Sequence, residues 1–340
     1  MICSDILSRI QIIEEKCKTI SPIVAVRCTT FNHGKFIRKT LDGFIMQECK
    51  FPFVVIVHDD ASTDETPKII QEYAEKYPDI ILPVLEEENQ YSKHDGSFRK
   101  IIDLALKATG CRYIAMCEGD DYWIDPSKLQ IQIDFLENNP EYGMCFHNVD
   151  YYNQGDNVLI RRKSNYRHNR EVPAEDIIMG GGGFCPTCSL VYRLSFLNNY
   201  PEFARNYYVG DYPLQIYFAL ISKVYYFNRV MAVYRVNNPT SWTTTTSTSM
   251  VGKDKSLEKL NSSIEFLENF DKFSDLKYHH VFNKRKSRNK YDSYFEMKEY
   301  GAALKYLPLD LYEICRYLSC IFNVYKISAR IKRFFYERKG

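Results

Sequence analysis

The chain has 340 residues, of which 45% are hydrophobic and 26% are charged, so it can form one large domain and a smaller appendage. Its formal net charge of +2 argues against bulk binding of nucleic acid, which requires many phosphates to be neutralised, and we expect no nucleic-acid partner. Eleven cysteines without a secretion signal predict reduced thiols and a cytoplasmic protein.

Apolar runs alternate with helical patterns through the first third of the chain. A short amphipathic helix in residues 4–18 is followed by four predicted strands, with helices between them, at 23–28, 53–57, 80–85 and 112–117. This alternation predicts a parallel sheet with right-handed crossovers. Neither G-x-G-x-x-G nor G-x-x-x-x-G-K-[ST] follows the first strand, so the dinucleotide fingerprint and the P-loop are both absent.

The second predicted strand ends in an acidic turn. Residues 53–57 form a continuous run typical of a strand buried on both faces, and His58, Asp59 and Asp60 follow it directly. Ligands of open α/β sheets bind at the carboxyl ends of the strands. A carboxylate placed there can accept a hydrogen bond from a base NH or a ribose hydroxyl.

Three carboxylates follow the fourth predicted strand within four positions, at Glu118, Asp120 and Asp121. Like charges this close are costly to keep ionised, and a bound cation removes that cost. Carboxylate oxygens with few neighbouring His or Cys side chains suit Mg²⁺ or Mn²⁺, which keep open positions for substrate phosphates. The alternative is an acidic loop that caps the next helix, because Asp125-Pro126 has the pattern of a helix start.

Three motifs together resemble the family 2 glycosyltransferases, which have the GT-A fold. They are V-A-V-R-C-T-T-F-N at 24–32, V-H-D-D-A-S-T-D at 57–64 and C-E-G-D-D-Y-W at 117–123, in the order and spacing of that family. The resemblance extends to about residue 237. It implies an α/β protein of GT-A type, with a Rossmann-like, mostly parallel sheet flanked by helices and a helical C-terminal appendage.

The resemblance also implies roles for individual residues. Thr29 and Phe31 would line the nucleoside pocket, and Asp60 would contact the base, which we expect to be uracil. Glu118 and Asp120 occupy the outer positions of the family's D-x-D motif. Both are candidate metal ligands, and Glu118, where the family has Asp, reaches one methylene further.

The resemblance places a catalytic base later in the chain, at the start of a helix. Inverting transfer needs one carboxylate that deprotonates the acceptor hydroxyl, while a metal takes up the charge of the leaving diphosphate. Asp211 fits that place because an apolar helical pattern follows it, although Gly210 stands where the family usually has Glu. The alternative makes Asp211 a simple N-cap, with Pro213 in the first turn.

Two more residues belong to the predicted donor site. Lys93 follows the third predicted strand, where its cation would offset phosphate charge or remain a solvated surface charge. Trp242 lies in a segment that resembles the family's post-catalytic loop and would stack on a sugar. The glycine run at 180–183 resembles the acceptor-side segment, where glycine permits close backbone approach.

We predict three regions from these motifs: an N-terminal helix in residues 1–21, a GT-A domain in 22–245, and a helical C-terminal region in 246–340. Within the domain, residues 22–123 would bind the nucleotide-sugar and residues 124–245 the acceptor. Residues 153–170 are polar and basic, and we expect them to form an exposed loop.

The C-terminal tail, residues 311–340, mixes basic and apolar side chains. Its apolar stretch, 311–325, is too short and too polar to span a bilayer. The basic residues beyond it suit an interfacial helix on an anionic membrane surface. The alternative is a terminal helix packed on the domain with a solvated basic end. We therefore expect a cytoplasmic protein, or a peripheral one on the inner face of the cytoplasmic membrane.

The predicted function is transfer of a sugar from a nucleoside-diphosphate sugar, expected to be UDP-linked, to a glycan or lipid-linked acceptor. Inversion, Mn²⁺ or Mg²⁺, and a role in cell-surface polysaccharide or lipopolysaccharide synthesis belong to this prediction. One alternative is a nucleotidyltransferase that makes a nucleotide-sugar, although residues 29–34 lack its glycine-rich basic loop. The other is a non-catalytic glycan-binding derivative, against which the presence of Asp60, Asp120 and Asp211 argues.

Overall fold

The computed structural model describes residues 4–161, 164–205, 207, 209–238 and 253–307. The chain divides into two compact units, Met1–Thr246 and Ser247–Gly340. The first unit contains the sheet, and the second is helical in its described part. Trp242 and the tail at 311–340 lie outside the described residues.

The strands of the first unit are, in chain order, β1 Val24–Thr30, β2 Phe53–Asp59, β3 Ile81–Leu85, β4 Tyr113–Met116, β5 Tyr122–Trp123, β6 Tyr142–Asn153, β7 Val158–Ile160, β8 Arg170–Val172, β9 Val191–Arg193 and β10 Lys223–Val236. Its helices are α1 Ser4–Ile20, α2 Ile37–Ile45, α3 Thr66–Lys76, α4 Ser97–Ala108, α5 Lys128–Asn138, α6 Ala174–Gly180, α7 Glu202–Arg205 and α8 Asp211–Ile221.

The strands form one sheet in the order β3-β2-β1-β4-β9-β6-β10-β5, with β7 paired to β6 and β8 paired to β10. The pairs within β3-β2-β1-β4 are parallel, and so is the long pair β6 and β10. Antiparallel pairing involves the short strands β5, β7, β8 and β9. The predicted α/β fold with a mostly parallel sheet flanked by helices is therefore confirmed.

The sheet core explains why the first strands were predictable. Every residue of β2 and β4 is buried, and so is almost every residue of β1, as expected for strands covered on both faces. The apolar side chains of α2 and α5 pack in the same core as those of β1, with Phe44 against Trp123 at 4.8 Å between ring centroids. This packing fixes the strand ends that carry the acidic motifs.

The expectation of an exposed loop at 153–170 is wrong in part. Residues Val158–Ile160 form β7, which pairs antiparallel with the end of β6, from Tyr151↔Ile160 to Asn153↔Val158. All three residues of β7 are exposed. The strand therefore forms through backbone hydrogen bonds to β6 and not through burial, so it carries no buried-face pattern for sequence analysis to detect.

The described part of the second unit consists of α9 Lys253–Phe273, α10 His279–Glu296 and α11 Tyr300–Leu304. Tyr291, Phe295 and Ala303 form a small apolar cluster between α10 and α11. Across the described ranges of the chain, no helix combines the length and the apolar character that crossing a membrane requires.

Candidate active site

Three strand ends meet at one edge of the sheet. The parallel register aligns Thr30 of β1 with Asp59 of β2, and the Asp60 amide donates to the Thr30 carbonyl at 3.0 Å. On the other side of β1, the Gly119 amide donates to the Thr29 carbonyl at 2.9 Å. The carboxyl ends of β1, β2 and β4 therefore carry their polar residues to one place, as in other open α/β sheets.

Asp59 and Asp60 are both buried, and both accept hydrogen bonds from their own chain. The Asp59 carboxylate accepts from the Ser62 amide at 3.0 Å and from the Ser62 hydroxyl at 2.5 Å. The Asp60 carboxylate accepts from the amides of Gln90 and Tyr91 at 2.7 and 3.1 Å. Burial raises the pKa of Asp60, and these two amide donors oppose that rise. Asp60 thus holds the segment after β3 against the end of β2.

Glu118 lies beside β1, where its carboxylate accepts a hydrogen bond from the Thr29 hydroxyl. Burial raises the pKa of Glu118, the nearby Arg27 cation and the Thr29 bond lower it, and the charges of Asp120 and Asp211 raise it further. The Glu118 carboxylate thus joins the turn after β4 to the end of β1.

The Asp120 carboxylate is buried and accepts a hydrogen bond from the Asn238 side-chain amide at 3.2 Å. Its Oδ2 atom also lies 4.0 Å from Nε2 of His33, a buried residue between β1 and α2. Burial lowers the pKa of His33, and the neighbouring Asp120 charge opposes that change. The imidazole and the carboxylate thus face each other across a gap that is too long for a hydrogen bond.

Asp121 has a different role from its two acidic neighbours. It is buried, and its Oδ1 accepts from the Arg235 backbone amide at 2.7 Å. Burial raises the pKa of Asp121 well above its usual value, and the Asp120 charge adds to the rise. Asp121 therefore joins the acidic turn to β10.

Arg235 joins the same turn through its side chain. Its guanidinium donates to the Asp120 carbonyl and lies over the rings of Phe36 and Tyr122, 4.9 and 4.7 Å from their centroids. Cation–π contacts of this kind stabilise a buried cation. Arg235 thus places positive charge beside the acidic turn.

Asp211 is the first residue of α8, and Gly210 precedes the helix, so Asp211 is not the N-cap. Its Oδ2 accepts from the Thr187 hydroxyl at 3.2 Å, and its Oδ1 accepts from the Tyr212 amide at 2.7 Å. Burial raises the pKa of Asp211, whereas these donors lower it. A Cβ at Gly182 would stand 3.5 Å from Oδ1, so the glycine run passes close to this carboxylate.

Phe31 and Lys93 lie on the solvent side. The Phe31 ring is 41% exposed, so it is free to contact a ligand. The Lys93 ammonium donates to Glu88 at 2.8 Å and to the Gln90 side chain at 3.1 Å. Its charge is therefore already paired with a carboxylate in this structure.

Sequence analysis missed His33, Thr187, Arg235 and Asn238. His33 directly follows the quoted motif at 24–32, and Arg235 and Asn238 lie in the segment before Trp242. The signal in the sequence that could have found these residues is their position beside the recognised motifs. Their partners lie far away in the chain, so the contacts themselves were not visible.

The oxygen and nitrogen atoms of the site fit a divalent cation that also binds a ligand. Among the described residues, no group of three or more His, Cys, Asp and Glu side chains is arranged to hold a metal ion. Asp120 and His33 nevertheless offer an oxygen and a nitrogen 4.0 Å apart, with Glu118 two positions before Asp120. Such a partial set suits an ion that takes its other ligands from phosphate oxygens and water.

The family of the chain follows from comparison with known sequences. A sequence model described as "Glycosyl transferase family 2" matches residues 26–200, which include most of β1, both acidic turns and the glycine run. The chain belongs to this family.

Curated proteins are similar to this chain over part of its length. An uncharacterized protein of Mycobacterium tuberculosis is 37% identical over 207 residues, which are 61% of this chain and 56% of that protein. The match thus spans little more than half the length of that relative. The Escherichia coli enzyme named UDP-Glc:alpha-D-GlcNAc-diphosphoundecaprenol beta-1,3-glucosyltransferase WfaP is 31% identical over 137 residues, 40% of this chain and 49% of the enzyme.

Solved structures show the same fold. Staphylococcus aureus TarS 1–349 in complex with UDP matches with a TM-score of 0.55 at 19% identity, over 87% of this chain and 78% of TarS. The mannosyltransferase PcManGT of Pyrobaculum calidifontis, in complex with GDP-Man and Mn²⁺, matches with a TM-score of 0.53 at 14% identity, over 96% and 91% of the two chains. This family 2 chain therefore has the GT-A fold.

Proposed function

We propose that this chain is a metal-dependent, inverting hexosyltransferase that moves a sugar from a UDP-sugar to a glycan or lipid-linked acceptor. The observation that carries the proposal is the position of Asp211. Its carboxylate lies beside the glycine run and accepts a hydrogen bond from Thr187, and its charge adds to the raised pKa of Glu118. In this proposal Asp211 is the base on the acceptor side, and the carboxylates after β4 lie on the donor side.

Asp211 performs the proton transfer in this proposal. Its carboxylate removes the proton from the acceptor hydroxyl as that oxygen attacks the anomeric carbon from the face opposite the leaving diphosphate. The bonds from Thr187 and Tyr212 leave each carboxylate oxygen a free lone pair for that proton. When bound, a divalent cation held by Asp120, with Glu118 nearby, supplies charge that stabilises the departing diphosphate.

The proposed uridine donor is supported by Asp60 and Phe31, with Thr29 as a third residue of the proposed nucleoside pocket. Each Asp60 oxygen accepts one backbone amide and keeps a lone pair for the NH of uracil. The exposed Phe31 ring offers a face for a base. UDP is bound in the TarS complex and stands in the name of the E. coli relative, which favours UDP over GDP. Lys93 and Trp242 complete the proposed donor site.

The proposed acceptor is lipid-linked, with a role in cell-surface polysaccharide or lipopolysaccharide synthesis. The name of the E. coli relative contains a diphosphoundecaprenol acceptor. Such an acceptor would require the enzyme to work at the inner face of the cytoplasmic membrane. The basic tail at 311–340 would bind anionic lipid there, since cations near such a surface contribute about 1 kcal/mol each.

A donor screen tests the proposed activity. Purified protein is incubated with each of a panel of nucleotide-sugars, Mn²⁺ and a lipid-diphosphate-sugar acceptor, and the released nucleoside diphosphate is measured. We expect release from a UDP-hexose, with an inverted linkage in the product by NMR. A retained linkage would exclude single displacement with Asp211 as base, and release from no donor would contradict the proposed activity.

A sedimentation assay tests the proposed role of the tail. The full chain should sediment with anionic liposomes, less so as salt rises because screening weakens exposed charges. A chain that ends before Leu311 should stay in the supernatant but transfer sugar to a soluble acceptor. Equal sedimentation of both forms would show that the tail is not the membrane anchor.

A further inference from the structure

The His33 imidazole is held in a fixed position at the edge of the acidic turn. Its backbone carbonyl accepts from the amides of Phe36 and Ile37 at 2.7 and 2.8 Å, which anchors the residue to the start of α2. The residue is buried, with 8% of its surface exposed. His33 therefore has little freedom to turn away from the site.

Gly119 allows this imidazole to approach the acidic turn. A Cβ at position 119 would lie 2.9 Å from His33 Nδ1 and 2.6 Å from the Thr30 hydroxyl, closer than real contacts allow. Any other residue would therefore force Thr30 or His33 to shift. The central position of the E-G-D sequence thus has a steric reason to be glycine.

Neither ring nitrogen of His33 makes a hydrogen bond within the described residues. Nδ1 is buried and has no hydrogen-bond partner within the described ranges, and Nε2 stops 4.0 Å short of Asp120 Oδ2. Two donors that each lie about 2.1 Å from one ion are roughly 3 to 4 Å apart, so this gap has the size that a shared metal ion needs.

We infer that His33 Nε2 and Asp120 Oδ2 together hold the divalent cation, and that His33 makes the site prefer Mn²⁺ to Mg²⁺. Mg²⁺ takes oxygen ligands almost exclusively, whereas a transition-metal ion accepts an imidazole nitrogen. The inference rests on the proposed function, because the donor diphosphate and water supply the remaining ligands.

Pulsed electron paramagnetic resonance tests the contact directly. The full chain is mixed with Mn²⁺ and UDP, and nitrogen coupling to the Mn²⁺ electron spin is recorded. We expect a ¹⁴N signal in the unmodified protein, which changes to that of ¹⁵N when the histidines carry ¹⁵N. His33→Gln should lose the signal. His94→Gln, which changes an exposed histidine, should keep it.

Metal competition tests the selectivity. His33→Gln should weaken Mn²⁺ binding in the presence of UDP by about ten- to a hundredfold, the range found even for residues that only support a ligand. His33→Asp replaces the nitrogen by oxygen. It should retain a metal site without nitrogen coupling, and the ratio of Mn²⁺ to Mg²⁺ affinity should fall about tenfold. Thermal unfolding of both variants controls for misfolding.

The outcomes separate this inference from the proposed function. Bound Mn²⁺ without nitrogen coupling, or coupling that survives His33→Gln, would overturn the role of His33 and leave sugar transfer intact. Absence of Mn²⁺ binding with UDP would overturn both the role of His33 and metal dependence. Failure of the proposed function would instead appear as no transfer from any donor in the screen.

Discussion

Two acidic strand ends with similar sequences have different chemistry. At the end of β2, Asp59 and Asp60 together accept four hydrogen bonds, from Ser62, Gln90 and Tyr91. These bonds tie two loops to the sheet and compensate for the burial of the carboxylates. The acidic pair after β2 is therefore part of the structure even where it also meets a ligand.

The carboxylates that follow β4 accept fewer hydrogen bonds than the pair at the end of β2. Within the described residues, the Asp120 carboxylate accepts from the Asn238 side chain and the Glu118 carboxylate accepts from the Thr29 hydroxyl. Burial raises the pKa of Glu118, and the neighbouring Asp120 charge adds to that rise. An acidic strand end thus indicates a ligand site when few hydrogen-bond donors of the protein itself contact its carboxylate oxygens.

Asp120→Asn should have the largest effect, because it removes the charge at the less satisfied end and keeps the shape. Sugar transfer should fall by about 10³ or more, on the scale of lost charge stabilisation in a transition state. Calorimetry should show that Mn²⁺ no longer strengthens UDP binding. The exposed Asp79→Asn is the matched control. Full wild-type activity in EDTA would contradict this prediction.

Asp211→Asn should lower kcat by about 10² to 10⁴, the contribution of a general base. The amide keeps the size of the side chain but cannot take the acceptor proton. UDP binding with Mn²⁺ should stay unchanged, because Asp211 lies on the acceptor side. A parallel loss of UDP affinity would mean that Asp211 contacts the donor and is not the base on the acceptor side.

Asp60→Asn should affect both stability and ligand binding. Loss of charged acceptors for two amides should lower the free energy of unfolding by about 1 to 3 kcal/mol, measured in urea. UDP affinity should fall about tenfold if Asp60 contacts the base, the equivalent of about 1.4 kcal/mol. Asp59→Asn serves as the control, since it should lower stability alike and leave UDP affinity unchanged. Equal UDP affinity in both variants would remove Asp60 from the donor site.

Thr187→Val should have the smallest effect, a shift in the pH dependence of kcat. Asp211 acts as a base only when it is ionised, so the rate rises with pH through its pKa. Burial raises that pKa and the Thr187 hydroxyl lowers it, so removal of the hydroxyl should move the acidic limb of the profile to higher pH. Thr187→Ser keeps the hydroxyl and should keep the limb in place. An unmoved limb in both variants would mean that another group controls it.

The elements that depend on burial were predictable from the sequence. The strands β1 to β4 agree with the predicted ranges to within two residues, because their apolar runs report burial directly. The short strand β7 was missed, since it forms by pairing with β6 and exposes all of its residues. Pairing between strand edges leaves no periodic signal when neither face is covered.

The sequence by itself determined the family, the order of the first strands and the acidic residues at their ends. Only the tertiary structure decided which carboxylates the protein satisfies, and that His33 and Arg235 stand beside the Asp120 turn. These contacts join residues that are 87 to 115 positions apart in the chain, counted from the residue numbers. A hydrogen bond or a metal site depends on distances of a few ångströms between such residues, and folding alone brings them within that range.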